Sequence, residues 1–162
     1  MFDVLGKRTE SVFPSFSDLP STRFASAIVL STDKKLETLA LVAKAALTCS
    51  KGASIWIAGE KDVGIASIAK ALVKCGEVSS KTSKAHAMAF EFKITSEDNL
   101  NALNKLVVEG DFTHFDDPSS KLSWQTRPGL FSHGKIDKGS ELLLQHLFPN
   151  MSGTVADLGA GW

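Results

Sequence analysis

Ser54-Ile55-Trp56-Ile57-Ala58-Gly59-Glu60-Lys61-Asp62-Val63-Gly64 is the stretch that decides the fold. Its first five residues form a short apolar run rich in isoleucine, which reads as a buried strand. Glycines then bracket a polar turn. Beyond the turn, Ile65, Ile68, Ala69 and Leu72 recur at helical spacing. The pattern predicts a helix over roughly residues 65–75, with Gly76 fitting its C-cap.

Working outward, the same alternation of strand and helix repeats. Ala25 to Ser31 (ASAIVLS) reads as a strand, and Ser31, Thr32 and Asp33 are N-cap candidates for the next helix. Leu36, Leu39, Ala40, Ala43 and Leu47 mark that helix over residues 34–49, ended by Lys51-Gly52. Val78 to Lys84 is polar and basic, with no strand assigned. Ala87 to Ile94 (AMAFEFKI) alternates apolar and polar residues and reads as a third strand. Strand–helix–strand–helix–strand is the signature of a parallel sheet with right-handed crossovers. The expected class is therefore α/β, a parallel sheet flanked by helices.

The flanks are less regular. Residues 1–23 read as an irregular arm pinned by Phe13 and Phe16. Asn99 to Val108 reads as a short helix, and Asp116-Asp117-Pro118-Ser119-Ser120 is a loop signal, which places a linker or domain boundary between about 95 and 123. Trp124 to Phe131 reads as extended around Pro128-Gly129. Asp137 to Leu147 reads as an amphipathic helix with Leu143, Leu144 and Leu147 inward. Pro149 and Gly153 precede a last apolar strand that runs into Asp157-Leu158-Gly159-Ala160-Gly161-Trp162. The chain thus divides into an arm (1–23), an N-terminal domain (24–123) and a connector with the first strand of a second domain (124–162).

Composition bounds the function. The chain has 162 residues, 43% of them apolar, so a true core can form and global disorder is excluded. Formal net charge is zero, which supplies no global electrostatic reason to bind nucleic acid but leaves room for a local basic face. The two cysteines, Cys49 and Cys75, lie outside any CxxC pattern and read as reduced, partly buried thiols. No segment approaches the roughly 18 apolar residues of a membrane span, and Met1 to Glu10 has no apolar h-region. No membrane partner is expected, and the cytoplasm is the default compartment.

Four constellations could carry chemistry. The Asp157–Gly161 turn lets backbone approach a nucleotide-like ligand, such as the tail and ribose of S-adenosylmethionine, while the acidic residue reaches its amino group. The bland reading is a tight turn at a strand end. The run from Arg127 to Ser140 has two glycine-bearing turns, an aromatic at Phe131 and a helix N-terminus. It reads either as a lid or as an irregular connector. The Gly59–Gly64 turn lacks both the Gly-Lys-Ser/Thr ending of a P-loop and the GxGxxG spacing of a dinucleotide site. Finally, Lys70, Lys74, Lys81, Lys84 and Lys93 give a basic bias that could meet phosphates or simply face solvent. His86, His114, His133 and His146 show no metal-ligand spacing, and no metal is expected.

Two separated blocks, in the same order, resemble small-subunit (16S) ribosomal RNA guanine-N2 methyltransferases. Ile55 to Ser67 resembles the glycine-glutamate turn of that family's N-terminal domain. Arg127-Pro128-Gly129-Leu130-Phe131-Ser132 through Ile136-Asp137, Gly139-Ser140 and Leu142-Leu143-Leu144 resembles the segment that leads into its cofactor motif, here Val155 to Gly161. The resemblance implies a degenerate, Rossmann-like N-terminal domain that supports a C-terminal catalytic domain and helps to bind RNA.

It also implies that S-adenosylmethionine is the cofactor of the full-length enzyme and is not held by this chain alone. Phe131, Ser132, Asp137, Asp157, Gly159 and Gly161 would line part of that donor site. The Asn-Pro-Pro-Phe/Tyr motif that positions the target amine does not occur in these 162 residues, and no catalytic residue is assigned. The expected partners are rRNA or the small ribosomal subunit, and the catalytic domain. Rival readings are a stand-alone interaction module that dimerises through its exposed C-terminal strand, or a methyltransferase of another RNA or of protein.

Overall fold

The computed structural model describes residues 16–19, 23–117, 122–147, 152–154 and 156. After a 3-10 turn at Phe16–Asp18, the elements run β1 (Phe24–Leu30), α1 (Lys35–Thr48), β2 (Cys49–Glu60), α2 (Ile65–Leu72), β3 (Glu77–Lys84), β4 (Ala87–Lys93), α3 (Asp98–Glu109), β5 (Thr113–Asp117), β6 (Leu122–Thr126) and α4 (Lys138–His146). The alternation of strands and helices over 25–94 is therefore present as expected. Strand direction is not.

The sheet is mixed, with order β1-β2-β4-β3. β1 and β2 are parallel, but β4 runs antiparallel to both β2 and β3. The expected all-parallel sheet is thus corrected. The reason lies in residues 77–84, the polar segment assigned no strand. Leaving α2, the chain forms β3 at the sheet edge, parallel to β2 but one position away from it. It then reverses at Ala85-His86, and β4 fills the gap between the two. The clean alternation of Ala87–Lys93 suits this arrangement, because antiparallel strands commonly bury only one face.

That face carries the core. Ile55 and Ile57 of β2 and Phe90 and Phe92 of β4 are essentially inaccessible, with Val29 of β1 beside them. Against them pack Val42, Ala43 and Ala46 of α1 and Ile65, Ile68 and Leu72 of α2. The alanines of α1 leave little bulk between helix and neighbours, so the helix meets β1 and β2 and also packs closely with α3. Leu103 of α3 is fully buried there. Burying each Ile, Leu or Phe side chain contributes about 1.5–3 kcal/mol. The alternate residues of the strands emerge on the other face. There Ile28, Leu30 and Trp56 remain exposed among the described residues.

Several boundaries move. α1 ends at Thr48, and β2 begins at once, so Lys51-Gly52 lies inside the strand and not at a helix end. The β1–β2 register slips between Phe24↔Cys49 and Ser26↔Ser54, and Gly52 (φ 77°) sits within that irregularity. The N-cap of α1 is Lys34, not Ser31, Thr32 or Asp33. Thr32 instead organises the approach. Its backbone N–H donates to Thr38 Oγ1 (2.9 Å), and its hydroxyl accepts from the Lys34 N–H (3.2 Å). α2 is capped at Val73, earlier than Gly76. Cys49 and Cys75 are buried, unbridged thiols, each pushed above its ordinary range by burial.

Candidate functional site

The connector after β6 holds the described part of the site. β6 is anchored by its antiparallel partner β5, with Phe115 opposite Trp124 and Thr113 opposite Thr126. Arg127-Pro128-Gly129-Leu130 then turns sharply, and the Leu130 N–H donates to the Arg127 carbonyl (3.2 Å). Proline followed by glycine at positive φ (101°) is the composition of a type II turn. A Cβ at Gly129 would overlap the Glu37 carboxylate in the first turn of α1. Glycine therefore serves twice, for its backbone angle and for close seating of the connector on the N-terminal domain.

A second turn comes next, closed by the Lys135 N–H on the Ser132 carbonyl (3.1 Å). Ser132 has φ 56°, a left-handed conformation uncommon for a residue with a Cβ. Thr126 Oγ1 and His133 Nδ1 lie 3.2 Å apart and tie the start of the connector to its second turn. Thr126 is buried, although nothing in the sequence singles it out. Between these turns and the start of α1 opens a pocket of about 540 Å³, lined by Asp33, Lys34, Lys35, Phe131, Ser132 and His133 among others.

The expected site residues divide. Phe131 stands on the rim of this pocket, 71% exposed, and Ser132 lines it. Asp137 does different work in this structure. Its Oδ1 accepts from the N–H groups of Gly139 (2.8 Å) and Ser140 (3.3 Å), and the Ser140 hydroxyl bonds Oδ2. It is the N-cap of α4. The Ser140 hydroxyl, and next the Gly139 N–H, hold its carboxyl below the usual range. Asp157, Gly159 and Gly161 lie outside the described residues, as does Val155 of the strand expected to precede them, while Thr154 and Ala156 are described and are not in a strand.

The Leu-rich helix departs from expectation. Leu142, Leu143 and Leu147 are 58%, 62% and 41% exposed, and α4 has no buried residue. The inward placement of Leu143 and Leu147 is therefore corrected: no described element covers that side of the helix. Leu144 is partly buried.

The Gly59–Gly64 block lies at the end of β2. A Cβ at Gly59 would overlap the side chain of Ser31, so glycine there permits close passage of β1. The Lys61 N–H donates to the His86 carbonyl (2.8 Å), which joins this turn to the β3–β4 turn. Lys61 and Asp62 are exposed. One polar cluster carries no mark in the sequence. Glu91, 8% exposed, lies on the sheet face away from the helices. It accepts from Ser54 (2.5 Å), Ser79 (3.1 Å) and Ser80 (3.4 Å) and pairs with Lys93 at 2.9 Å. A lone glutamate in an alternating strand gives no sign of the serines that surround it.

A mixed α/β domain that seats a turn-rich connector on its first helix defines the class. The methyltransferase small domain N-terminal family matches residues 6–109, and the methyltransferase small domain matches residues 121–162. The chain belongs to the methyltransferase small domain N-terminal family and continues into the start of a methyltransferase small domain. Among its relatives, ribosomal RNA small subunit methyltransferase C of Pseudomonas entomophila is 32% identical over 143 residues, covering 88% of this chain and 42% of that protein. The Psychromonas ingrahamii protein of the same name is 32% identical over 141 residues, 86% of this chain and 40% of its own length. The chain thus spans about two-fifths of these relatives. A T. thermophilus 16S rRNA N2 methyltransferase, solved with AdoMet and guanosine, superposes with a TM-score of 0.59 at 18% identity. That match covers 80% of this chain and 34% of the other, and shows a shared fold.

Proposed function

We propose that this chain is the N-terminal scaffold and RNA-facing part of an S-adenosylmethionine-dependent rRNA guanine-N2 methyltransferase, and that it transfers no methyl group by itself. The observation that carries this reading is the seating of Gly129 against Glu37. It fastens the start of the methyltransferase small domain to the N-terminal domain just ahead of the expected donor site. The mixed sheet then reads as a degenerate Rossmann-like sheet that keeps the parallel β1–α1–β2 crossover and has antiparallel β4 inserted between the parallel strands β2 and β3.

The described residues fit the donor in part. Phe131 offers an exposed aromatic face and Ser132 a hydroxyl beside the same pocket. The Asp137 carboxylate is committed to the α4 N-terminus, so its contribution is to hold that helix in place. S-adenosylmethionine, when bound, supplies the methyl group. The chain's own residues orient the segment that would meet it. The exposed leucines of α4 read as the surface that the remainder of the small domain covers. The cytoplasm is the proposed site of action.

The test joins this chain to the C-terminal remainder of the P. entomophila relative. Radiolabelled S-adenosylmethionine is then offered with small-subunit RNA. The chimaera is expected to label guanine, and the 162-residue chain alone to label nothing. Methyl transfer by the chain alone would overturn the scaffold reading. A folded chimaera with no guanine labelling would overturn the enzymatic one.

A further inference from the structure

The five lysines that stand out in the sequence do not form one patch. Lys81 and Lys84 lie on β3, at the sheet edge, and Lys93 is paired with Glu91. Lys70 and Lys74 instead line a groove of about 600 Å³ beside α2, where two lysines from other helices join them: Lys35 of α1 and Lys105 of α3. Four lysines, from α1, α2, the turn after α2 and α3, thus line one groove together with Leu39, Ala71 and Leu106 among others. The one acid on the rim is Glu109, which lies 3.8 Å from Lys105. Lys35, Lys70 and Lys74 have no ion-pair partner among the described residues.

Lys70 lies in the last turn of α2 and Lys74 in the turn that follows its C-cap at Val73, so the end of this helix brings two basic side chains to the same groove. The chain as a whole is neutral, with 18 basic and 18 acidic residues, so the groove is a local concentration of charge and not a reflection of the total.

We propose that this groove is an RNA contact surface, in which Lys35, Lys70, Lys74 and Lys105 bind the phosphate backbone without reading sequence. The inference rests on the rRNA reading above and deepens it by naming the surface. Flexible lysine side chains suit phosphate oxygens as point charges. They would position the RNA and leave base selection to other contacts. Each lysine–phosphate contact on a single strand releases counterions, adding about 0.7 to the slope of log affinity against log salt.

The experiment titrates a short fluorescein-labelled single-stranded RNA of mixed sequence with the full chain. Anisotropy is read from about 50 to 200 mM salt. The Lys70→Gln/Lys74→Gln pair is expected to weaken binding at least roughly tenfold at the low-salt end and to reduce the slope by about 1.4. Lys35→Gln/Lys105→Gln should do the same, which guards against a local effect of either pair. Lys81→Gln/Lys84→Gln removes equal charge from β3 and should change neither quantity. All three double variants should keep the urea midpoint of the parent.

An equal loss in the β3 pair would show that binding follows total charge, and overturns the proposal. So does an unchanged affinity in both groove pairs, or no RNA binding by the parent chain. Displacement of the RNA by polyglutamate at matched charge concentration would assign the groove to an acidic polypeptide and likewise overturn it. Failure of the chimaera to methylate, with these RNA results intact, would reject the enzymatic reading and leave the groove standing. The reverse pattern rejects the groove alone.

Discussion

Glu91 occupies a strand position whose neighbours are Trp56 on β2 and Ser79 on β3. Its carboxyl is held down to about 2 from an ordinary 4.5. The Ser54 hydroxyl contributes most, then Lys93, while burial works the other way. A carboxylate with a depressed folded-state value contributes stability that is fully present above its unfolded value and lost as pH falls through the folded one. Glu91→Gln keeps the shape and removes the charge. The urea-midpoint difference between parent and variant is expected to be largest above about 4.5 and to shrink as pH falls towards about 2. A difference that stays constant across this window would rule out the charge as the source. The sequence shows glutamate at 91 but not this role, because Ser54 and Ser79 reach it from other strands. What is legible at this scale, an exposed aromatic at Phe131 beside a glycine-bearing turn, needs only local composition.

At the scale of elements, the β3–β4 hairpin separates what sequence pattern conveys from what it hides. A two-residue hairpin turn with positive φ at both central positions is usually written Asn-Gly or Asp-Gly. Here it is written Ala85-His86, with φ 46° and 65°. The turn signal is absent, so the pattern presents β3 as a polar connection and β4 as a parallel strand. Left-handed backbone costs about 1–2 kcal/mol for a residue with a Cβ. Ala85→Asn with His86→Gly is therefore expected to stabilise the chain by about 1–2 kcal/mol. That corresponds to a Tm rise of roughly 2–4 °C for each kcal/mol in a chain of this size. The His86 carbonyl that accepts from Lys61 is backbone and survives the exchange. A Tm unchanged or lowered would show that the Ala85 and His86 side chains hold the turn by contacts of their own. The helices are more legible: α1 and α3 match their expected spans to within a residue or two, because a 3.6-residue period is a local property.

In the whole molecule, two apolar surfaces lie open among the described residues: Ile28, Leu30 and Trp56 on the sheet, and the leucines of α4. The second is the more consequential, since it belongs to the segment matched by the methyltransferase small domain. Light scattering of the 162-residue chain is expected to show self-association that rises with concentration, and Leu142→Glu/Leu143→Glu is expected to suppress it. Joined to the missing part of the relative, the parent chain should become monodisperse. Self-association that survives the glutamates would place the contact elsewhere, and the exposed C-terminal strand expected from the sequence is then the next candidate to delete. Periodicity and punctuation by themselves determined that the chain is α/β, where its helices and the strands β1, β2 and β4 run, and that a connector precedes a glycine-rich segment. The order and direction of the strands, the seating of Gly129 on α1, the commitment of Asp137 to a helix cap and the convergence of Lys35, Lys70, Lys74 and Lys105 were decided only by the tertiary structure. Local pattern specifies which face of an element is apolar. Which distant element covers that face, and so which polar groups become neighbours, is settled only when the core packs.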